Sequence, residues 1–227
     1  GGTYTISTSG HTAPCTAATI QATITVTAAP TITTQPSNST ICMGASTSFA
    51  VVASGTNLAY QWQVSTDGGS TFNNITSAGS DPVYSGYSTS ATLGLTGVVP
   101  GNNNYRYRCV VSNNCAQSTP SSAAMLTVET APSIVLTSAA NTNAQKVCIN
   151  SPITNITYAI GGGATGATVT GLPSGVNGSY NSGVFTISGT PNVTAGSPFN
   201  YTVTTTGSGV CAAISVSGSI TVNSLPT

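Results

Sequence analysis

The chain has 227 residues, of which 3% are charged, and its formal net charge is zero. This composition excludes a nucleic-acid binder that follows phosphates, because such contacts need a basic surface. No run of 18 or more apolar residues is present, so the sequence predicts no membrane span in this segment. Apolar residues make up 39% of the chain, and their spacing indicates packed cores rather than disorder.

One strand ending recurs at residues 24–30, 126–132 and 220–226: an apolar residue, Thr, Val, a three-residue linker and Pro. A strand that hands over to a proline marks a domain boundary, and recurrence along the chain indicates tandem repeats. We therefore expect residues 1–29 to be the last strands of a preceding domain. Residues 30–130 and 131–227 would then each form a domain.

Short apolar runs alternate with polar residues, and Gly, Thr, Ser and Pro interrupt every stretch that could keep a helical stripe. The predicted strands, in chain order, are Ser48–Ala53, Ala59–Val64, Ala91–Leu95, Tyr105–Val111, Ala124–Val128, Ile153–Ile160, Gly183–Ser188, Asn200–Thr205 and Ser217–Val222. Strands at this spacing, separated by turn residues, predict an all-β sandwich fold.

Residues 30–130 carry a tryptophan motif and a Tyr-x-Cys motif, in Tyr60-Gln-Trp62-Gln and Tyr107-Arg-Cys109, with Leu93-Gly-Leu95 between them. This combination resembles an immunoglobulin-like domain and implies tandem immunoglobulin-like β-sandwich domains arranged end to end. The position opposite Cys109, near Phe49, has no cysteine, so the usual inter-sheet bridge lacks a partner. The resemblance favours a packed core position for Trp62 over a sugar-stacking platform.

Further motifs narrow the resemblance. Those of the 30–130 domain are Thr34-Gln-Pro36, Cys42-Met-Gly44 and the hairpin through Gly68-Gly69, and those of the 131–227 domain are Gly171-Leu-Pro-Ser-Gly175 and Ile187-Ser-Gly-Thr-Pro191. They resemble immunoglobulin-like and PKD-like repeats of very long secreted surface adhesins of Bacteroidota, of the gliding-motility type.

That resemblance implies a structural or adhesive segment of a secreted cell-surface filament. Its partners would be neighbouring repeats, with surface glycans or other cells as further contacts. The alternative is a carbohydrate-binding or spacer module attached to a secreted enzyme. Such a module needs exposed aromatics on one face, and Tyr84 and Tyr87 are its best candidates.

The six cysteines contain no C-x-x-C pair, which disfavours zinc and thioredoxin-like sites. Their distant spacing in an uncharged β-rich chain indicates an oxidising compartment outside the cytoplasm. We expect a secreted product.

Internal alignment of Tyr107 with Tyr201 matches Cys115 to Cys211, and Cys15 to both; Cys42 matches Cys148. This alignment predicts the bridges Cys42–Cys115 and Cys148–Cys211, with the partner of Cys15 outside the chain. Cys109 would remain a small buried thiol. The immunoglobulin habit of using the Tyr-x-Cys cysteine leaves Cys42–Cys109 as the alternative.

The chain has few side chains that could act as a catalytic acid, base or metal ligand. It has one histidine, His11, and three acidic residues, Asp67, Asp81 and Glu129. We therefore expect neither an enzyme nor a cofactor or metal site. Asp67-Gly-Gly69 indicates a hairpin turn, and Gly161-Gly-Gly163 indicates a turn without the features of a phosphate loop.

Arg106 and Arg108 alternate with Tyr105, Tyr107 and Cys109 along one predicted strand. If Tyr107 points inward, both arginines point outward from the same sheet face. A solvated face is the simpler interpretation, and a contact with a partner is the functional one. We name Tyr84, Tyr87, Arg106 and Arg108 as the candidate ligand contacts.

Overall fold

The computed structural model describes residues 2–7, 19–24 and 27–226. It consists of a β-hairpin followed by two β-sandwiches. Within the described residues the helical element is a 3-10 turn at Pro100–Asn102. No helix of that part of the chain is long and apolar enough to cross a bilayer.

The N-terminal hairpin pairs β1 (Gly2–Ser7) with β2 (Thr19–Ile24) in antiparallel fashion. Strands were expected in this region, and two are present. His11 and Cys15 lie outside the described residues.

The first sandwich is built from strands that continue the numbering along the chain. They are β3 (Thr31–Thr34), β4 (Ser39–Cys42), β5 (Thr47–Ala50), β6 (Val52–Ser54), β7 (Ala59–Ser65), β8 (Asn73–Asn74), β9 (Val83–Ser85), β10 (Thr92–Thr96), β11 (Arg106–Ser112), β12 (Ser118–Pro120) and β13 (Ala124–Glu129). One sheet has the order β4-β13-β11-β7-β8, with β12 also paired to β11. The facing sheet has the order β5-β10-β9, and β3 pairs with β6.

Alternation along the strands explains the first core. In β11 the burial pattern places Tyr107, Cys109 and Val111 inside and their neighbours on the outer face, as the two-residue period of a strand requires. Trp62 on β7 lies opposite Cys109 and is fully buried. Phe49 is buried in the same core, and its ring stacks on Tyr107 with the ring centroids 5.0 Å apart.

The second sandwich repeats the plan with other strands. They are β14 (Ser133–Leu136), β15 (Ala144–Cys148), β16 (Ile156–Gly161), β17 (Gly166–Thr170), β18 (Val176–Asn181), β19 (Val184–Gly189), β20 (Phe199–Thr206) and β21 (Ser215–Asn223). Its sheets have the orders β14-β16-β19-β18 and β15-β21-β20-β17. The core includes Tyr158 and Tyr201, whose hydroxyl oxygens lie 3.0 Å apart.

The three copies of the strand ending share one register. Tyr4 lies opposite Ala22, Tyr107 opposite Ala124, and Tyr201 opposite Gly218. In each copy, the residue opposite the tyrosine stands five positions before the residue that follows the Thr-Val pair. Those following residues are Thr27, Glu129 and Asn223. The repetition noted in the sequence is therefore a repetition of strand pairing as well.

The all-β prediction is confirmed, with one difference inside a predicted strand. The run Ser48–Ala53 is divided between β5 and β6, and Val51 between them is buried at 3% exposure. Its amide donates to Ala91 O across 3.0 Å. The chain therefore leaves one sheet at Val51 and joins the small β3-β6 sheet.

Candidate functional site: the junction of the two sandwiches

The two sandwiches are joined by a short linker. Strand β13 ends at Glu129 and β14 begins at Ser133. Pro132 restricts the backbone of the linker and of the residue before it. A linker this short brings loops of the second sandwich against the end of the first.

A disulfide crosses this junction. Cys42, the last residue of β4, is bonded to Cys211 in the loop between β20 and β21, with a Cα–Cα distance of 5.0 Å. The bond joins residues 169 positions apart and connects the first sandwich to the second. The predicted bridges Cys42–Cys115 and Cys148–Cys211 were therefore wrong, although Cys42 and Cys211 are bridged.

The reason lies in the geometry of a sandwich. Cys42 lies opposite Glu129 at the end of the last strand, whereas Cys115 follows β11, which runs away from that end for seven residues. Seven residues of strand span roughly 20 Å, and cysteines with Cα atoms more than about 7 Å apart cannot be bridged. The two cysteines thus lie at opposite ends of one domain and can meet only across a junction.

The same geometry separates Cys148 from Cys211. Cys148 lies opposite Asn223 at the end of β21, and Cys211 precedes the start of that nine-residue strand. Both Cys115 and Cys148 are unbridged and exposed in the described chain.

Glu129 adds a polar contact to the junction. Its carboxylate accepts a hydrogen bond of 2.8 Å from the backbone amide of Val210, next to the bridged Cys211. Gly209 has a φ of +58°, and a Cβ at this position would collide with the Glu129 carboxylate. The loop therefore needs glycine here both for its backbone conformation and for the close approach.

A second loop of the second sandwich also packs on the linker. Gly162 has a φ of +65°, and a Cβ there would run into the carbonyl oxygen of Ala131. The amide of Gly163 donates to the same oxygen at 3.4 Å. The predicted turn at Gly161–Gly163 is thus present, and its lack of side chains lets it lie against the linker.

The first sandwich contacts the segment before it through the equivalent loop and through strand β12, which follows that loop. The Asn113 side-chain amide donates to Ala28 O across 2.9 Å, and the Thr119 hydroxyl donates to Pro30 O across 2.7 Å. Ala28 and Pro30 stand at the positions of Thr130 and Pro132 in the repeated ending. Both junctions are therefore built from the linker and the loop that follows the Tyr107 or Tyr201 strand.

Trp62 is a core residue, as predicted. Its side chain is 0% exposed, and its indole N–H donates to Ser90 O across 3.0 Å. A buried indole with its polar atom satisfied inside the protein is not a platform for an external sugar.

The two candidate tyrosines of the carbohydrate-module alternative are half-buried. Tyr84 and Tyr87 both pack against the first core. The ring of Tyr84 meets Tyr107 edge-on at 6.1 Å, and burial raises the pKa of the Tyr84 hydroxyl. Because Trp62 is fully buried, it cannot form an exposed aromatic face with these two rings.

Arg106 and Arg108 lie on the outer face of β11, opposite in direction to Tyr107 and Cys109. The Arg108 guanidinium stacks over Phe72 at 4.1 Å, and its Nε donates to Gln63 Oε1 across 2.7 Å. Arg106 lies against Gly69 of the neighbouring hairpin. Their role as ligand contacts stays a prediction.

Asp67 organises the hairpin turn next to this face. Its carboxylate accepts from the Thr71 hydroxyl at 2.7 Å, the Thr71 amide at 2.9 Å and the Ser65 hydroxyl at 2.7 Å. Gly68 and Gly69 have positive φ values, as expected for this turn. No group of three or more potential metal ligands occurs among the residues that the structure describes.

These donors hold the pKa of Asp67 well below its usual range, with Thr71 as the main cause. A lowered folded-state pKa stabilises the turn above the ordinary carboxyl pKa of about 4, and the effect is lost as pH falls further. We expect the Asp67 carboxyl to be still ionised at pH 3, as measured by its 13C chemical shift. Thr71→Val should raise this pKa, whereas Thr71→Ser, which keeps the hydroxyl, should not. Protonation at the ordinary pKa in the unsubstituted chain would contradict the prediction.

Cys109 is unpaired and buried, as predicted. Burial raises the pKa of its thiol to about 11, so the nucleophilic thiolate is scarce at pH 8. We expect N-ethylmaleimide to label Cys115 and Cys148 in the folded chain and Cys109 only after unfolding. Mass spectrometry of the labelled peptides checks this, and rapid labelling of Cys109 in the folded chain would contradict it.

Comparison with protein-family models gives no match. Comparison with curated protein sequences gives none either.

Solved structures do resemble the chain. The I-band fragment I67–I69 from titin aligns with a TM-score of 0.58 and 20% identity, over 88% of this chain and 67% of that fragment. The N-terminal eight Ig domains of Down Syndrome Cell Adhesion Molecule, isoform 1.30.30, align with a TM-score of 0.64 and 14% identity, over 92% of this chain and 26% of that one. At these identities the likeness shows the fold alone: the chain is a tandem of immunoglobulin-like β-sandwich domains.

Proposed function

We propose that the chain is a structural and adhesive segment of a long, secreted, cell-surface filament or adhesin built from immunoglobulin-like repeats. The observation that carries this proposal is the disulfide Cys42–Cys211 across the domain junction. A bond inside a domain would stabilise that domain, whereas a bond between successive domains restrains how they move against each other. Such a restraint suits a segment that must keep its extension under load.

The junction contacts support the same role. The Glu129 carboxylate and the Gly162 turn hold the second sandwich against the linker with polar and close backbone contacts. A low-charge surface also suits an array, because neighbouring repeats with a net charge of zero do not repel one another within a Debye length. We propose the domain limits 1–29, 30–130 and 131–227, with successive domains arranged as a stiff rod.

The disulfide also supports an extracellular location, since such bonds persist in oxidising compartments and are rare in the cytoplasm. On the resemblance of its motifs, we place the chain among gliding-motility-type adhesins of Bacteroidota. Fold likeness alone does not assign a function. The role proposed here therefore depends on the junction and on the sequence motifs.

The adhesive part of the proposal concerns the outer face around Arg108. Phe72, Gln63 and Arg108 form a stacked and hydrogen-bonded group there, and Gln63 also donates to Asn74 Oδ1 across 2.8 Å. A planar cation held against an aromatic ring offers donors in a fixed orientation. We propose this face as the contact with surface glycans or other cells.

Antibodies against the chain test the location, and attachment assays test the adhesive face. We expect the antibodies to label extended fibres on intact cells of the source. Arg108→Ala should reduce attachment, whereas Lys146→Ala, an exposed cation of the second sandwich, should not. Label restricted to the cell interior, or to a soluble secreted enzyme, would overturn the filament role. Equal attachment by both variants would overturn the role of the face.

A further inference from the structure

Two exposed cysteines stand at positions equivalent to those of the bridged pair. Cys42 and Cys148 both end a strand that runs parallel to the last strand of their sandwich, opposite Glu129 and Asn223. The next amide donates to the carbonyl of that opposite residue at 2.9 Å in both sandwiches. Each cysteine also accepts a turn hydrogen bond of 3.1 Å from the residue three positions later. Cys148 thus has the local structure of a bridged cysteine.

Cys115 corresponds in the same way to Cys211. Both lie in the loop that follows the strand of Tyr107 or Tyr201, and both loops contact the linker before their own sandwich. Asn113 donates to Ala28 O, while the Cys211 Sγ lies 3.5 Å from Thr130 O. Ala28 and Thr130 occupy the same position of the repeated ending.

Exposure separates the bridged loop cysteine from the unbridged one. Cys211 is 6% exposed, because the end of the first sandwich covers it. Cys115 is exposed, and so is Cys148 at the other kind of position. Among the residues that the structure describes, neither exposed cysteine is bridged.

We propose that Cys115 bonds to the cysteine that ends the equivalent strand of the preceding repeat, and that Cys148 bonds to the loop cysteine of the following repeat. The proposal rests on the proposed function as a tandem array. The register of β1–β2 supports a preceding repeat of the same type, because it matches the register of β20–β21. The pair Gly2↔Ile24 in the first corresponds to the pair Phe199↔Ile220 in the second.

Each bond forms by oxidation of two thiols. The two cysteines lose two protons and two electrons, and the electrons pass by thiol–disulfide exchange to an external protein or small-molecule disulfide, which is reduced to two thiols. Such disulfides are available in an oxidising compartment.

The resulting bridges overlap along the chain. The bridge from the preceding repeat to Cys115 would begin before Cys42 and end between Cys42 and Cys148. The bridge Cys42–Cys211 spans that end and continues past Cys148. Each repeat would therefore be crossed by covalent bonds that bypass much of its interior, so opening of a single domain would lengthen the array by much less than the extended length of that domain.

Peptide mapping of the native full-length polypeptide tests the proposal. Free thiols are blocked with N-ethylmaleimide at acid pH, and the protein is digested without reduction before mass spectrometry. We expect Cys42 linked to Cys211, Cys115 linked to a peptide of the preceding repeat, and Cys148 linked to one of the following repeat. Blocked thiols at Cys115 and Cys148, a link between two Cys115 residues, or the pairs Cys42–Cys115 and Cys148–Cys211 would each overturn it.

The 227-residue chain provides the matched control. Labelling of Cys115 and Cys148 should be complete in this chain and absent in the native polypeptide, while Cys109 should stay unlabelled in both until unfolding. A negative mapping result would leave surface labelling by antibodies unaffected. The outcome therefore separates a failure of the bridges from a failure of the filament role.

Discussion

Replacing Trp62 by alanine is expected to destabilise the first sandwich by about 3–5 kcal/mol, as truncation of a large buried aromatic side chain does. The side chain is 0% exposed and lies opposite Cys109 in the centre of the sheet. Its loss leaves a cavity and also leaves Ser90 O without its indole donor. Calorimetry should show a lower melting temperature for the first sandwich.

Two further variants serve as controls for the Trp62→Ala measurement. Trp62→Phe keeps most of the ring volume and should cost less than Trp62→Ala. Tyr180→Ala removes an aromatic side chain that is 37% exposed, and should change stability little. A Trp62→Ala chain with an unchanged melting temperature and a loss of glycan binding would support the carbohydrate-module alternative instead.

The cores were predictable because their residues follow a simple period. Tyr107, Cys109 and Val111 recur at every second position between Arg106, Arg108 and Val110, and the two arginines mark the outer face of the predicted strand. The position of Trp62 followed from its resemblance to an immunoglobulin motif. Short strands such as β8 (Asn73–Asn74) and β12 (Ser118–Pro120) were not predicted. Their pairing comes from neighbouring strands rather than from their own apolar residues.

The disulfide shows where reasoning from the sequence stopped. Internal alignment correctly made Cys42 equivalent to Cys148 and Cys115 equivalent to Cys211. The alignment did not show at which end of its sandwich each of these cysteines lies, because that depends on strand direction and on the parallel pairing of β4 with β13. Cysteines at opposite ends of repeated domains pair between domains.

The polar residues of the junction were also missed. Glu129 stands within the repeated ending, where the other copies have Thr27 and Asn223, so no repeated acid marks it. Gly209 and Gly162 could be read as turn residues, but their contacts with Glu129 and Ala131 depend on how the second sandwich meets the linker. These contacts join residues far apart in the sequence, which local patterns do not reveal.

Pulling the oxidised chain from its two ends is expected to expose much less length than pulling the reduced chain. The bridge joins residues 169 positions apart, and all residues between them lie in a closed loop that carries no load. At the extended length of about 3.5 Å per residue, reduction should release roughly 600 Å of additional chain from the 169-residue separation. Single-molecule force spectroscopy measures this length directly.

Variants identify which bond limits the extension. Cys42→Ser and Cys211→Ser should each give the full length without a reductant, and the double variant should match the single ones because both remove the same bond. Cys109→Ser, at an unpaired position, is the control and should extend like the unsubstituted chain. If Cys115→Ser also released length, a bridge inside the first sandwich would be limiting, and the junction would carry load through its non-covalent contacts. A full-length extension only after loss of Cys42 or Cys211 means that force passes from one sandwich to the next through the covalent bond, so that neither domain need unfold.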